Sequence, residues 1–203
     1  RRICSNVTKI PMKELAQNSA SIKHGMSQQG GKIFIKEFPP ATITVNQLKA
    51  FVKKFEEQGI KLDAIVLDYL NLMHSTVGNN SYERIKHVTE QVRAMSYLFN
   101  CPIISATQLN RAGFDTDNPD LATISESIGL AATADAIISI FQNEEDRGIG
   151  VIRLGMMKNR YGPRGNTQAM RIDYSTLTIE QADDIEIGED MDDTLNVLAG
   201  LAQ

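Results

Sequence analysis

The spacing of apolar and polar residues divides the chain into a series of short elements. Ile3 and Val7 mark an N-terminal helix, and Pro11 suits the first turn of a second one over Pro11–Gln17. Gly30-Gly31 interrupts the chain before Lys32-Ile33-Phe34-Ile35, a strand pattern that Pro39-Pro40 stops. A clear helix follows. Thr44 and Gln47 form a capping-box pair, Leu48, Phe51, Val52 and Phe55 recur at helical spacing, and Gly59 stands past the end. Ala64-Ile65-Val66-Leu67 is unbroken apolar sequence ending in Asp68, the pattern of a strand buried on both faces. After the loop Gly78-Asn79-Asn80, a long helix places Ile85, Val88, Val92, Met95 and Phe99 on one face. Cys101-Pro102-Ile103-Ile104-Ser105-Ala106 then reads as another buried strand, ending in Thr107-Gln108.

This β-α-β-α-β order predicts an α/β fold with a mostly parallel sheet and crossover helices. A polar loop spans Asn110 to Asp120, and Ala136–Phe141 gives a further strand. Val151–Met157, Gln168–Ile172 and Leu177–Glu180 alternate more strongly, which predicts an antiparallel meander at the end of the sheet. No repeat is visible at periods of 20 to 50 residues.

Composition narrows the class. The chain has 203 residues, 42% hydrophobic and 23% charged, enough for a buried core and too apolar for wholesale disorder. Cys4 and Cys101 are too few for a disulfide scaffold and lack C-x-x-C spacing, and His24, His74 and His87 show no ligand spacing. No apolar run approaches the length of a membrane span, and no signal-peptide core follows Arg1-Arg2, so the chain reads as cytoplasmic with no membrane partner.

The net charge of -4 argues at first against a nucleic-acid partner, but it is unevenly placed. From Gln181 to Gln203 there are seven acids and no Lys or Arg. Without that tail, 21 basic residues face 18 acidic ones, a body of +3. With no Trp and 6% aromatics, a base-stacking platform is not expected; any binding of single strands would follow the backbone.

Three features carry chemistry. In an open parallel sheet ligands bind at the carboxyl ends of the strands, and Asp68 and Gln108 end two of them. An acid after an apolar strand suits a Mg²⁺ that bridges nucleotide phosphates; a solvent-facing strand-end Asp has the same pattern. Gln108 reads equally as a loop amide. In Lys158-Asn159-Arg160-Tyr161-Gly162-Pro163-Arg164-Gly165, a cationic strand end enters a shaped turn. Lys158 and Arg160, two apart on an extended segment, point the same way and could stabilise charge on a transferring phosphoryl group. A hairpin tip that only solubilises would look alike.

Taken in order, these segments resemble the DnaB family of replicative helicases. Ile65-Val66-Leu67-Asp68-Tyr69-Leu70-Asn71-Leu72-Met73 is similar to that family's Walker B strand. Ser105-Ala106-Thr107-Gln108-Leu109-Asn110-Arg111 resembles the next core strand with its sensor glutamine. Ser125-Glu126-Ser127-Ile128-Gly129, with Ala134-Asp135 after it, resembles the DNA-loop segment, and Lys158-Asn159-Arg160 with Gly162-Pro163 resembles the trans-acting basic motif. Asp68-Tyr69-Leu70-Asn71 and Ala106-Thr107-Gln108 lean toward the phage-type, T4-like branch. The likeness runs from about Arg2 to Glu180.

The resemblance implies a RecA-like P-loop NTPase core over residues 1–180, followed by an acidic tail over 181–203. The cofactors would be ATP and Mg²⁺, and the whole protein would be a hexameric ring that translocates on single-stranded DNA. Asp68 would hold Mg²⁺ through water, and Gln108 would sense the γ-phosphate. Lys158 and Arg160 would reach the neighbouring subunit's nucleotide. Ser125, Glu126 and Gly129 would follow the DNA phosphates. Ser125 stands where bacterial relatives often carry Arg, and Arg111 could supply part of that charge. The tail's Leu195, Val197, Leu198 and Leu201 suggest a short amphipathic helix that docks a primase or a loader, or else a frayed terminus.

One expected motif is not in the sequence. The Gly-Lys pair Gly31-Lys32 has Met26 where a P-loop needs its first Gly and Ile33 where it needs Ser or Thr. The family carries that motif, and the glutamate that activates water, upstream of the matching segment. The expectation is therefore a C-terminal portion of a motor domain, inactive alone, with apolar sheet surface exposed. Two alternatives stay open: a recombinase core of the RecA/RadA type, which forms filaments, and a RecA-fold binding protein that does not hydrolyse nucleotide.

Overall fold

The computed structural model describes residues 1–108, 128–165 and 167–182. The elements in chain order are α1 (Arg2–Thr8), α2 (Ser19–Ser27), α3 (Val45–Glu57), β1 (Ile65–Leu67), α4 (Ser81–Phe99), β2 (Ile103–Ser105), α5 (Ile128–Thr133), β3 (Ala136–Phe141), α6 (Glu144–Gly148), β4 (Val151–Asn159), β5 (Thr167–Asp173) and β6 (Thr178–Gln181), with a 3-10 turn at Leu70–Leu72. β1 and β2 pair in parallel, with Ile65 opposite Ile103 and Leu67 opposite Ser105. The second sheet has the order β3-β4-β5-β6. Its last two pairings, β4–β5 and β5–β6, are antiparallel, the expected meander.

The chain forms two compact units. One holds Lys32–Ser139 and Met156–Gly165; the other holds Arg1–Gly31, Ile140–Gly155 and the described residues after 166. β3 and β4 each pass along the chain from one unit into the other.

The larger unit is built on its two long helices. The Thr44 side chain accepts from the Gln47 amide while the Gln47 side chain caps Thr44, so α3 starts where the capping box predicts. Asn80 caps α4 by accepting from the Glu83 amide at 2.9 Å, and Asn100 ends it in the left-handed region. Ile85, Val88, Val92, Met95 and Phe99 are all buried, as their spacing predicts. They pack with Val45, Leu48 and Val52 of α3, Ile65 of β1 and Leu130 of α5 in one core.

Three sequence expectations are corrected here. Lys32–Ile35 forms no strand; Ile33, Phe34 and Ile35 are exposed. The segment is held by aromatic contacts instead of a ladder, Phe34 on Phe55 at 4.8 Å and Phe38 on Phe51 at 5.8 Å. The first strand of the β-α-β-α-β reading is thus absent among the described residues. The β1–β2 pair is also not buried on both faces. Ile65 is buried, but Val66 is 71% exposed, as is its register partner Ile104 at 57%. The apolar run reports what both faces could bury, and among the described residues one face has its cover.

The third correction lies in the smaller unit. Pro11–Gln17 makes separate turns, Glu14 N–H to Pro11 C=O and Gln17 N–H to Glu14 C=O, while the Met12 amide bonds to Ser175 C=O at 3.1 Å. The helix forms one segment later, as α2. Its pattern is weak because none of its residues is buried. Gly25 is what lets it lie against α1, since a Cβ there would stand 2.9 Å from Cγ2 of Thr8. The unit's polar centre is α6. Asn143 and Asp146 cap each other across its first turn, and Asp146, 3% exposed, receives Nε and Nη2 of Arg153 at 2.8 and 3.0 Å.

Candidate functional site

Asp68 follows β1 directly and Gln108 comes three residues after the end of β2, so parallel pairing sets them beyond the same end of the two strands. Ser105 locks that end. Its hydroxyl donates to Leu67 C=O at 2.8 Å and accepts from the Leu70 amide at 3.1 Å, fixing the turn after Asp68 to the neighbouring strand. Thr107 Oγ1 donates to Asn71 Oδ1 at 3.3 Å, a second tie across the same end. The Asp68–Tyr69 peptide is cis. Gln108 Nε2 reaches Tyr69 Oη at 3.4 Å, a long bond that a better acceptor would displace.

Asp68 is exposed at this end, with its carboxylate turned out of the core. Mg²⁺ in nucleotide sites is held by one or two carboxylates, waters and the phosphates themselves. Among the described residues no three His, Cys, Asp or Glu side chains gather into a cage. A lone strand-end carboxylate therefore fits a Mg²⁺-nucleotide better than a resident protein-bound metal.

The basic motif sits at the end of β4. Asn159 shapes the turn: its Nδ2 donates to Pro163 C=O at 3.1 Å, and its Oδ1 accepts from the Tyr161 amide at 3.2 Å. Gly165 N–H closes the loop on Met156 C=O at 2.9 Å. Gly162 lets the Asn159 amide lie close, since a Cβ there would stand 2.9 Å from Asn159 Nδ2 and push that side chain aside.

Lys158 and Arg160 emerge on the same side, as their spacing predicts. Lys158 Nζ donates to the carbonyls of Ala131 and Ala132 at 2.6 and 3.1 Å, near the C-terminal end of α5. Burial pushes the Lys158 ammonium down from its ordinary value, and the charge of Arg160 adds to this. Arg160 Nη1 pairs with Asp135 Oδ1 at 2.9 Å, and Arg93 Nη2 of α4 pairs with the same oxygen at 3.0 Å. Arg93 also donates to Thr133 C=O and to Tyr97 Oη. The Tyr97 hydroxyl first, then Asp135, raise the Arg93 guanidinium above its ordinary value. An open groove of about 440 Å³ lies beside the cluster, lined in part by Glu90, Tyr97 and Thr133.

The predicted residues thus form two groups. Asp68 and Gln108 lie beyond the same end of β1 and β2, with Gln108 on Tyr69 next to Asp68; Lys158 and Arg160 are held beside α5, on Ala131 and Ala132 and on Asp135. Among the described residues no hydrogen bond or ion pair joins one group to the other. Gly129 lies in α5, where a Cβ would approach Cγ of Lys86 to 3.1 Å, so it serves close helix packing. Arg111, Ser125 and Glu126, the loop around them and the tail beyond residue 182 lie outside the described residues. The sequence reading missed Arg93 and gave Asp135 no role. Their pairing spans 42 positions and leaves no local pattern.

A parallel strand pair with polar ends, a separate antiparallel sheet and a cationic hairpin make an α/β fold of the RecA-like kind. The family described as DnaB-like helicase C terminal domain matches residues 1–177, and the chain belongs to that family. The DnaB-like replicative helicase of Enterobacteria phage T4 is 24% identical over 139 residues, covering 66% of this chain and 29% of the relative. The solved ATPase domain of G40P superposes with a TM-score of 0.72 at 18% identity, covering 90% of this chain and 69% of that one. A DnaB-like replicative helicase, solved to describe its interactions with primase, gives the same TM-score and identity, covering 90% of this chain and 48% of that one. The chain spans about a third of the length of the curated relatives it matches.

Proposed function

We propose that this chain is the C-terminal portion, residues 1–180, of the motor of an ATP-driven replicative DNA helicase, followed by an acidic tail. The whole protein assembles as a hexameric ring in the cytoplasm (the host's, if phage-encoded), moves along single-stranded DNA and unwinds duplex. The observation that carries this reading is the division of the site into two groups. Among the described residues, a strand-end carboxylate and amide share no hydrogen bond or ion pair with a pair of cations, as expected where each nucleotide is completed by two subunits.

Bound Mg²⁺ would neutralise the β- and γ-phosphates and draw charge from the γ-phosphoryl group as it transfers. Asp68 would hold that ion. Gln108 exchanges its long bond to Tyr69 for the γ-phosphate and so reports whether the phosphate is present. Lys158 and Arg160 belong to the neighbour's nucleotide, where the developing transition-state charge rewards fixed cations. Ser125, Glu126 and Gly129, with Arg111, track the DNA phosphates. The tail docks a primase or a loader; the structural neighbour described with primase supports that class of partner.

The experiment is a comparison of DNA-stimulated ATP hydrolysis by the full-length protein and by the 203-residue chain. The full-length protein turns over and the chain alone does not, because no G-x-x-x-x-G-K-[ST] cradles the phosphates. Turnover by the 203-residue chain contradicts the assignment of the phosphate cradle to a preceding segment. Absence of turnover in both favours a non-hydrolysing binding protein.

A further inference from the structure

Arg160 is held by Asp135, a residue to which the resemblance gives no function. Two features set this contact. The Arg160 amide donates to the Asp135 carbonyl at 2.9 Å, so the main chain fixes where the arginine leaves β4 relative to the carboxylate. The side chains then meet, Nη1 to Oδ1, at 2.9 Å. Arg93 shares that oxygen at 3.0 Å and is anchored independently on Thr133 C=O and Tyr97 Oη.

The charge balance is uneven. Arg93, Lys158 and Arg160 gather at the Asp135 carboxylate, and with Glu90 in the adjoining groove three cations face two carboxylates, a small positive surplus. The Arg160 and Asp135 side chains are 40% and 46% exposed, and a pair so exposed contributes little to stability. The contact is therefore easily broken, and Arg160 borders an open groove through which an anion can reach it. If Arg160 leaves, Arg93 stays on Asp135, and the carboxylate is not left unpaired.

We propose that Asp135 is the positioning residue for Arg160. It holds the guanidinium aimed and ready, then releases it to a phosphate on a neighbouring copy of the chain, with Arg93 remaining as the carboxylate's counterion. This rests on the reading of Arg160 as a trans-acting group. A long side chain without such a rest samples many rotamers, and the ordering must then be supplied at the moment of reaction.

The test uses the full-length protein and four forms: unaltered, Asp135→Asn, Asp135→Glu and Arg160→Ala. DNA-stimulated ATPase gives kcat and KM, a fluorescent ATP analogue gives nucleotide affinity, and thermal melting reports folding. Asp135→Asn is expected to lower kcat by about 10- to 100-fold, the scale of a misplaced catalytic group, with KM and analogue affinity within about twofold. Its melting temperature stays within about 3 °C, as for any half-exposed pair, and Asp135→Glu recovers much of the lost rate. A near-normal kcat in Asp135→Asn, beside an inactive Arg160→Ala, overturns the proposal and leaves the role of Arg160 standing. Equal loss in Asp135→Asn and Asp135→Glu with a lowered melting temperature makes Asp135 a structural residue and overturns it too. An active Arg160→Ala removes the underlying assignment, and the proposal with it.

Discussion

Arg160→Ala in the full-length protein is expected to lower DNA-stimulated ATP hydrolysis by about 10³-fold or more while nucleotide affinity stays near normal. The magnitude follows from what the guanidinium does. A finger worth about 10³ to 10⁵ in rate supplies about 4 to 7 kcal/mol of transition-state stabilisation, and that stabilisation appears only as charge develops on the transferring group. On the proposed reading the ground-state nucleotide is held by other residues, so equilibrium binding of an ATP analogue is the control. The fold is also spared. In this chain Arg160 contributes a half-exposed ion pair and a main-chain N–H hydrogen bond to the Asp135 carbonyl, and that hydrogen bond survives the substitution. Steady-state turnover near that of the unaltered protein would remove Arg160 from the mechanism.

The largest expected effect on folding lies in the smaller unit. Asp146→Ala is expected to destabilise that unit by about 3 kcal/mol, read from denaturant or thermal unfolding. The carboxylate is almost wholly buried, receives two bonds from Arg153 and caps α6 through the Asn143 amide. Its removal leaves a partly buried guanidinium without that counter-charge and takes away half of a capping box. The same pair gives a pH dependence. The Arg153 hydrogen bonds hold the Asp146 carboxyl below its ordinary value, against the opposing effect of burial. The folded-state pKa is depressed, so this stabilisation is fully present above the unfolded value of about 3.9 and is lost as pH falls through the folded value. Asp146→Ala should therefore flatten the acid limb of the stability curve. An unchanged acid limb would show that the pair contributes nothing to acid sensitivity.

How far the sequence could be read depended on whether a signal was local. The capping box at Thr44, the buried stripe from Ile85 to Phe99 and the alternating strands near the C-terminus each declare themselves within a few residues, and each forms as read. Asp68 and Gln108 were legible because an apolar run that stops at a polar residue marks a strand's end, and parallel pairing does the rest. Lys32–Ile35 misled because an apolar run states a need for cover and not its form; Phe34 and Phe38 find their partners on α3. Val66 and Ile104 carry the same lesson: their pattern anticipates two covered faces. Arg93 was illegible for a different reason. On α4 it reads as one more solvated cation, and only the fold brings it to Asp135 and Arg160. The DnaB-like resemblance reached Lys158 and Arg160 through motif order, but the residues that hold them are spread over α4, α5 and the start of β3.

The central claim is that each nucleotide is completed by residues from two chains, and mixing two inactive variants of the full-length protein tests it most directly. Asp68→Ala removes the carboxylate proposed to hold Mg²⁺ and keeps the cations; Arg160→Ala does the reverse. Each alone is expected to be inactive in DNA-stimulated ATPase. Mixed one to one and reassembled, about a quarter of the sites pair an intact Asp68 with a neighbour's intact Arg160, and turnover returns at about that fraction of the unaltered rate or less. Mixed rings that form and remain as inactive as either variant would place both groups on the same nucleotide in one chain and contradict the account.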